Sequence, residues 1–453
     1  MNRKYLKYIV FSIAVIFGSC KKFLSEKPLS SLATLESLDD YKAIIQNEIR
    51  MNDLYPFCYD YSSDYFYLTE EDFNALDETG RNGYAWEAQP AHQNNWNQNF
   101  TRIYDANVVL DGVDNALLGN WSEADRREVK GTAYFFKAFT LLHLAAIYAP
   151  AYEPGKSHEK PGIPLRYSSD INEDIKRATL EETFRHIEDL LLKSCELLPF
   201  STKDKTLPTK EAAWAALARH YLNMQDYERA KTFADSCLGF NDVIIDFNNL
   251  NQMATANQFS ELNNEVIFHA TKGDFSSMIT TDKARVDTSL YDLYPEDDLR
   301  KYLFYTTKEN GNIAFHGDYS GSQSIAIFSG LARDEVCLIS AESSIRTGDV
   351  QKGIATLNKL LAYRISKSTF TPLTTSNQDD ALKMVLLERR KELAFRAGLR
   401  WMDLKRLNLE KSTSTTLKRK IGNREVELEP NGDRYVFKIP DRVIAISGIS
   451  QNP

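Results

Sequence analysis

KEAAWAALARHYLNMQDYERAKTFADSCL, residues Lys210–Leu238, carries the strongest pattern in the 453-residue chain. Trp214, Leu217, Ala218 and Tyr221 recur at three- and four-residue spacing, as do Tyr227, Ala230, Ala234 and Cys237 beyond the polar break NMQD. That period places one buried stripe on each of two helices. The small side chains of Ala218 and Ala230 let antiparallel helices approach closely, while aromatic rings at 214, 221 and 227 fill the space beside the contact. The segment predicts a helical hairpin.

With Trp214 counted as position 4, the eight residues fall at positions 4, 7, 8, 11, 17, 20, 24 and 27, the spacing of a tetratricopeptide helix pair. A second pair is predicted at Asp334–Tyr363, where Ala341 takes the small position, RTGDV the turn, and Leu357 and Leu360 the second helix. Ala138 is the equivalent residue in Ala133–Tyr148, AYFFKAFTLLHLAAIY, an apolar run that predicts a buried helix stopped by Pro150. These alanines stand 80 and 123 residues apart, which excludes a tandem array with a period near 34. Further helices are predicted at Leu35–Ile45, Phe100–Leu118 and Leu180–Leu198. The expected fold is mainly α, with tetratricopeptide-like pairs near 131–198, 210–238 and 334–363, long loop-rich insertions and minor β. Residues 240–330, rich in Asn, Asp, Ser, Thr and Tyr, predict loops and short strands such as EVIFHA at Glu265–Ala270. DRYVFKIP at Asp433–Pro440 alternates like a strand and is expected to pair with REVELE at Arg424–Glu429 across the PNGD turn.

Hydrophobic residues make up 43% and charged residues 26%, as in water-soluble globular proteins, so neither global disorder nor a polytopic membrane protein fits. A net charge of −8 disfavours nucleic acid as a partner. Arg3, Lys4 and Lys7 precede an apolar run, Tyr8–Phe17, that is too short to span a bilayer and reads as an export signal over residues 1–19. Gly18 and Ser19 then lead to Cys20. This ending resembles a bacterial lipobox, with Phe17 where an aliphatic residue is usual, and the resemblance makes Cys20 the acylated N-terminus of residues 20–453. An ordinary secretory signal with an incidental cysteine is the alternative. Several acyl chains on one residue hold firmly, because each buried CH₂ contributes about 0.8 kcal/mol.

Cys58, Cys195, Cys237 and Cys337 show no C-x-x-C spacing, and packing is their expected role. Seven scattered histidines offer no metal-ligand pair, no phosphate-cradling or catalytic motif occurs, and neither metal nor cofactor is expected. The density of rings between Tyr55 and Tyr104 does stand out, with 13 aromatics in 50 residues, 26% against a chain mean of 11%. Gly80, Gly83 and Pro90 interrupt this stretch, so several rings are expected on loops, where a sugar face or a peptide side chain can stack. RNGYAW at Arg81–Trp86 mixes rings and polar groups most compactly. The candidate ligand residues are Tyr84, Trp86, Arg81, Asn82, Tyr65, Asp64 and Tyr67, with Tyr291–Tyr319 as an opposite wall and Trp96 and Tyr104 assigned to the core.

LLERRKELAFRAGLRWMDLKRLN at Leu386–Asn408 completes the pattern. With CKKFLSEKP at Cys20–Pro28, IYDANVVLDGVDNA at Ile103–Ala116, the helix Gly131–Tyr148 followed by PGIPL, and the closing KIP and QNP, it resembles the SusD/RagB family of outer-membrane lipoproteins. Within the late segment Glu388, Arg389, Glu392, Arg400 and Asp403 are spaced to join two helices by salt bridges across Gly398, which suits a turn needing positive φ. Ala397 stands where the family often has an acid. The resemblance implies a lipid-anchored, surface-exposed outer-membrane protein that binds an oligosaccharide and delivers it to a SusC-like TonB-dependent transporter without catalysis. Peptide capture, as in the RagB branch, and a tetratricopeptide-type protein adaptor are the alternatives.

Overall fold

The structure, a computed structural model, describes residues 35–87, 92–272, 280, 282–321 and 327–453. The export segment, Cys20 and the tether that follows it lie outside the described residues. Among those residues the helices of seven or more residues are α1 (Leu38–Ile45), α2 (Glu78–Ala85), α3 (Gln93–Gly112), α4 (Glu123–Tyr148), α5 (Leu180–Leu197), α6 (Lys210–Asn223), α7 (Tyr227–Phe240), α8 (Arg333–Arg346), α9 (Val350–Leu361), α10 (Gln378–Glu392), α11 (Leu399–Leu407) and α12 (Asp441–Ser447). None is long and apolar enough to cross a membrane.

The quoted hairpin forms α6 and α7. Thr209 and Asp226 cap them by accepting the N–H groups of Ala212 and Arg229. Ala218, Ala230 and Ala234 are fully buried, and Tyr221 stacks on Phe233 with centroids 5.6 Å apart. Trp214 is only half buried, packing edge-on against the exposed Phe200. From α4 to α8 each helix packs on the one before it, and α7 and α8 touch although 92 residues separate them in sequence. Helices α9 and α10 both pack on α8. The insertion is therefore looped out of a continuous stack.

Two helices begin earlier than periodicity predicts. Helix α4 starts ten residues before the apolar run, behind a capping box of Ser122 and Asp125, because its first turns are solvated and carry no apolar stripe. The polar start of α3, QNNWNQN, hides Asn95 and Asn99, which are buried; the Asn99 amide donates to the Asn95 carbonyl and accepts from Arg102. The C-terminal expectation needs correction as well. Arg424–Leu428 pairs with Leu417–Ile421, in a register running from Leu417 opposite Leu428 to Ile421 opposite Arg424. The two-residue turn Gly422–Asn423 joins them and outcompetes the longer PNGD connection. Asp433–Tyr435 is a 3₁₀ turn, after which Phe437 is buried and donates its N–H to Ile147 O at 3.0 Å. In the insertion, Val266–Phe268 forms the expected strand and pairs with Leu331–Ala332.

A buried ionic frame ties the insertion to the stack. Arg364 donates to Glu392 of α10 and to Glu265 beside the 266–268 strand, both at 2.7 Å, and all three side chains are fully buried. Arg300 reaches Asp298, Glu388 and Glu392 at 2.7, 2.6 and 3.0 Å. Arg389 meets Asp403 of α11 at 2.8 Å, and Arg406 joins Asp403 to Glu342 of α8. The late segment thus bridges its two helices once, through Arg389 and Asp403, while its other charges reach outward. Gly398 makes the sharp entry to α11 at φ +75°, its N–H donating to Asp60 at 2.8 Å. A Cβ there would lie 2.6 Å from the Tyr59 ring. At Gly348, φ +93°, nothing stands within 4 Å of such a Cβ. Gly348→Ala is expected to cost about 1 kcal/mol, the backbone contribution alone, whereas Gly398→Ala adds a steric clash and costs about 2–4 kcal/mol by urea unfolding.

Candidate functional site

Most of the sequence-selected residues lie in the core, and the expectation of exposed rings on loops is corrected for them. Tyr84 and Trp86 are fully buried and Tyr65 nearly so. DETGRNGYA, predicted as loop from its glycines, is the capped helix α2, with Asp77 accepting the Gly80 N–H at 2.7 Å. Tyr84 Oη accepts the Leu68 N–H at 2.9 Å, and Trp86 Nε1 donates to Ser62 O at 2.8 Å. Arg419, from the 417–421 strand, lies 4.0 Å from the Tyr84 ring and 4.4 Å from the Trp86 ring and donates to the carbonyls of Tyr61, Ser63 and Tyr84. The aromatic cluster is a socket for a buried guanidinium. No face of either ring is left for a ligand.

The remaining candidates divide. Tyr65 donates to Leu393 O and stacks on Phe395. Arg81 donates to Leu76 O, and Asn82 is half buried within α2. Asp64 holds Arg400 at 2.7 Å and Arg390 at 3.2 Å. Burial pushes the Asp64 carboxyl up, but the Arg400 guanidinium, backed by Arg390, outweighs it and holds the group well below the usual carboxylate range. Only Tyr67 is exposed, at 37%. Trp96 is buried as expected, but Tyr104 is 44% exposed, a correction. It lines an apolar groove of about 340 Å³ with Trp96, Phe100, Ile171 and Ile446.

Tyr67 leads to the site itself. Strand Phe66–Tyr67 pairs antiparallel with Arg285–Val286, setting Tyr67 directly opposite Arg285 on the outer face while Phe66 and Val286 turn inward. Arg285 Nη1 is fixed by Asp72 at 2.7 Å and Lys283 O at 2.8 Å. Beside this ledge rises the hairpin of Tyr305–Thr307 and Ile313–Phe315, whose turn carries Lys308, Glu309, Asn310 and Asn312. Hairpin and ledge enclose a basin of about 460 Å³ lined by Asp282, Arg285, Lys308, Asn310 and Asn312 among others. Tyr67 does not itself line the basin but stands beside Arg285, which does; an exposed ring next to such a polar basin can stack on the apolar face of a polyol whose hydroxyls bond the guanidinium, amide and carboxylate groups. The hairpin falls inside Tyr291–Tyr319, so two separately chosen stretches adjoin in space. Arg285 carries no local signal of its own, whereas Asn310–Gly311 between alternating residues is a hairpin signal that could have marked the turn.

Other polar clusters are structural. Glu265, Asp334 and Glu392 bring carboxylate oxygens within 4.8 Å of one another, a spacing suited to a cation, but Arg364, Arg300 and Arg396 already supply the positive charge. Burial lowers the His92 pKa to about 4 and that of His220 to about 3, so both rings are neutral core residues. The four described cysteines are free, with Cys58, Cys237 and Cys337 buried and Cys195 half buried.

Residues 22–222 match a SusD-like family model described as starch-binding and associating with the outer membrane. The SusD-like protein P2 of Formosa agariphila is 24% identical to this chain, over 76% of each. Among solved structures, a SusD superfamily protein from Bacteroides thetaiotaomicron superposes with a TM-score of 0.74 at 17% identity, covering 92% of this chain and all of that one. Surface glycan-binding protein A from Bacteroides fluxus does so with a TM-score of 0.70 at 17% identity, over 92% and 99%. This chain thus shares its overall fold with those structures, and residues 22–222 carry its similarity to the SusD-like family model.

Proposed function

We propose that the chain captures an oligosaccharide in the basin between the Tyr67–Arg285 ledge and the 305–315 hairpin. The observation that carries this reading is the register of Tyr67 opposite Arg285 at the edge of a roomy, polar cavity. The family description, starch-binding and associating with the outer membrane, supports it, as does the similarity to a surface glycan-binding protein. Binding without bond cleavage is the role. Residues 1–19 act as a cleaved signal and Cys20 carries the lipid, which holds residues 20–453 at the outer membrane facing the exterior. The captured glycan passes to a SusC-like TonB-dependent transporter, with which the protein is expected to co-purify.

Isothermal titration against a glycan panel tests the site. Tyr67→Ala and Arg285→Ala are each expected to weaken the bound glycan about tenfold or more, roughly 1.4 kcal/mol or above, with little change in thermal stability. Trp86→Ala is expected to do the reverse, costing about 3–5 kcal/mol of stability, since it empties the Arg419 socket. Full affinity in both ledge variants would refute the site, and tight binding of peptides in place of glycans would favour the RagB-like reading.

A further inference from the structure

Charge around the basin is balanced pair by pair. Arg285 is 2.7 Å from Asp72, and Lys308 is 3.8 Å from Asp282. Lys283 adds its charge to the field at Asp72, and Glu309 stands exposed at the hairpin turn. Among the described residues two cations, Arg285 and Lys308, and two carboxylates, Asp282 and Glu309, line the basin, while Asp72 and Lys283 hold Arg285 without lining it. Asn310 and Asn312 add neutral amides.

We infer that the basin selects neutral oligosaccharides and rejects uronate-rich or sulfated ones, a conclusion that rests on the glycan-binding reading above. A sugar hydroxyl both donates and accepts, so a neutral polyol bonds a carboxylate and a guanidinium at once without separating them. A carboxylate or sulfate on the ligand is an acceptor only. To reach Arg285 it must compete with Asp72, and at Lys308 it meets the opposing charge of Asp282, while Glu309 repels it at the entrance. Like-charge contact gives selectivity here even though exposed pairs contribute little affinity.

The test is calorimetry of the purified full chain in detergent against two sets of probes of similar length. One set is neutral (maltoheptaose, cellohexaose, xylohexaose, mannohexaose, laminarihexaose); the other is anionic (oligogalacturonate, oligomannuronate and a sulfated galactan oligomer). Binding is expected within the neutral set only, with affinity changing less than about twofold between low and high salt, since no ion pair forms across the interface. In the Asp282→Asn, Glu309→Gln double variant the ratio of anionic to neutral affinity is expected to rise about three- to tenfold. An anionic probe bound as tightly as the best neutral one, or a double variant that discriminates between the two sets as strongly as wild type, overturns this inference and leaves glycan capture standing. Failure of every probe in both sets overturns glycan capture itself, and the inference with it.

Discussion

The guanidinium of Arg364 sits with no solvent contact between Glu392 of a scaffold helix and Glu265 of the insertion, and also donates to Ile245 O at 2.7 Å. Taking such ions out of water costs several kcal/mol each, and the cost is recovered only when every donor finds an acceptor in good geometry. Here the acceptors come from segments 28 to 119 residues away. The charge can be buried only if the insertion folds down onto the stack, so this constraint couples two parts of the chain that periodicity alone would leave independent. Breaking one member of such a group costs about 3–5 kcal/mol, because it strands a buried charge.

The candidate site follows from that coupling. The 266–268 strand, the Asp298–Arg300 corner and Tyr319, whose hydroxyl donates to Glu265 at 2.7 Å, are all pinned by the frame. Arg285 of the ledge and the hairpin are carried on the same insertion, between those pinned points. On the N-terminal side Asp64 holds Arg400 and Asp60 holds the Gly398 N–H, so the segment that ends in Tyr67 is fastened to α11. A polyol-sized basin then forms between rigid supports, which lowers the entropy a ligand must give up on binding.

The helical stack was legible because its signals are local. Ala218, Ala230 and the capping Asp226 announce the α6–α7 hairpin within 29 residues, and the late arginine-rich segment announced ion pairing. What local sequence cannot show is the partner. Tyr84 and Trp86 have the composition of a sugar platform, and nothing between residues 55 and 104 reveals that Arg419 will sit against them. Tyr67, by contrast, was recoverable, and only its pairing with Arg285 distinguishes it from the buried Tyr65 two residues away. The C-terminal strand departs from expectation for a related reason, since two turn signals compete and the shorter loop wins.

Amide hydrogen exchange on the Glu392→Gln protein, compared with wild type, tests the coupling most directly. If the buried frame holds the insertion to the stack, protection of Val266–Phe268 and Arg300–Phe304 falls about a hundredfold while α6 and α7 keep theirs, equivalent to the roughly 3 kcal/mol expected at the low end for a broken buried pair. Unchanged protection in the insertion, or an equal fall across all helices, would contradict it.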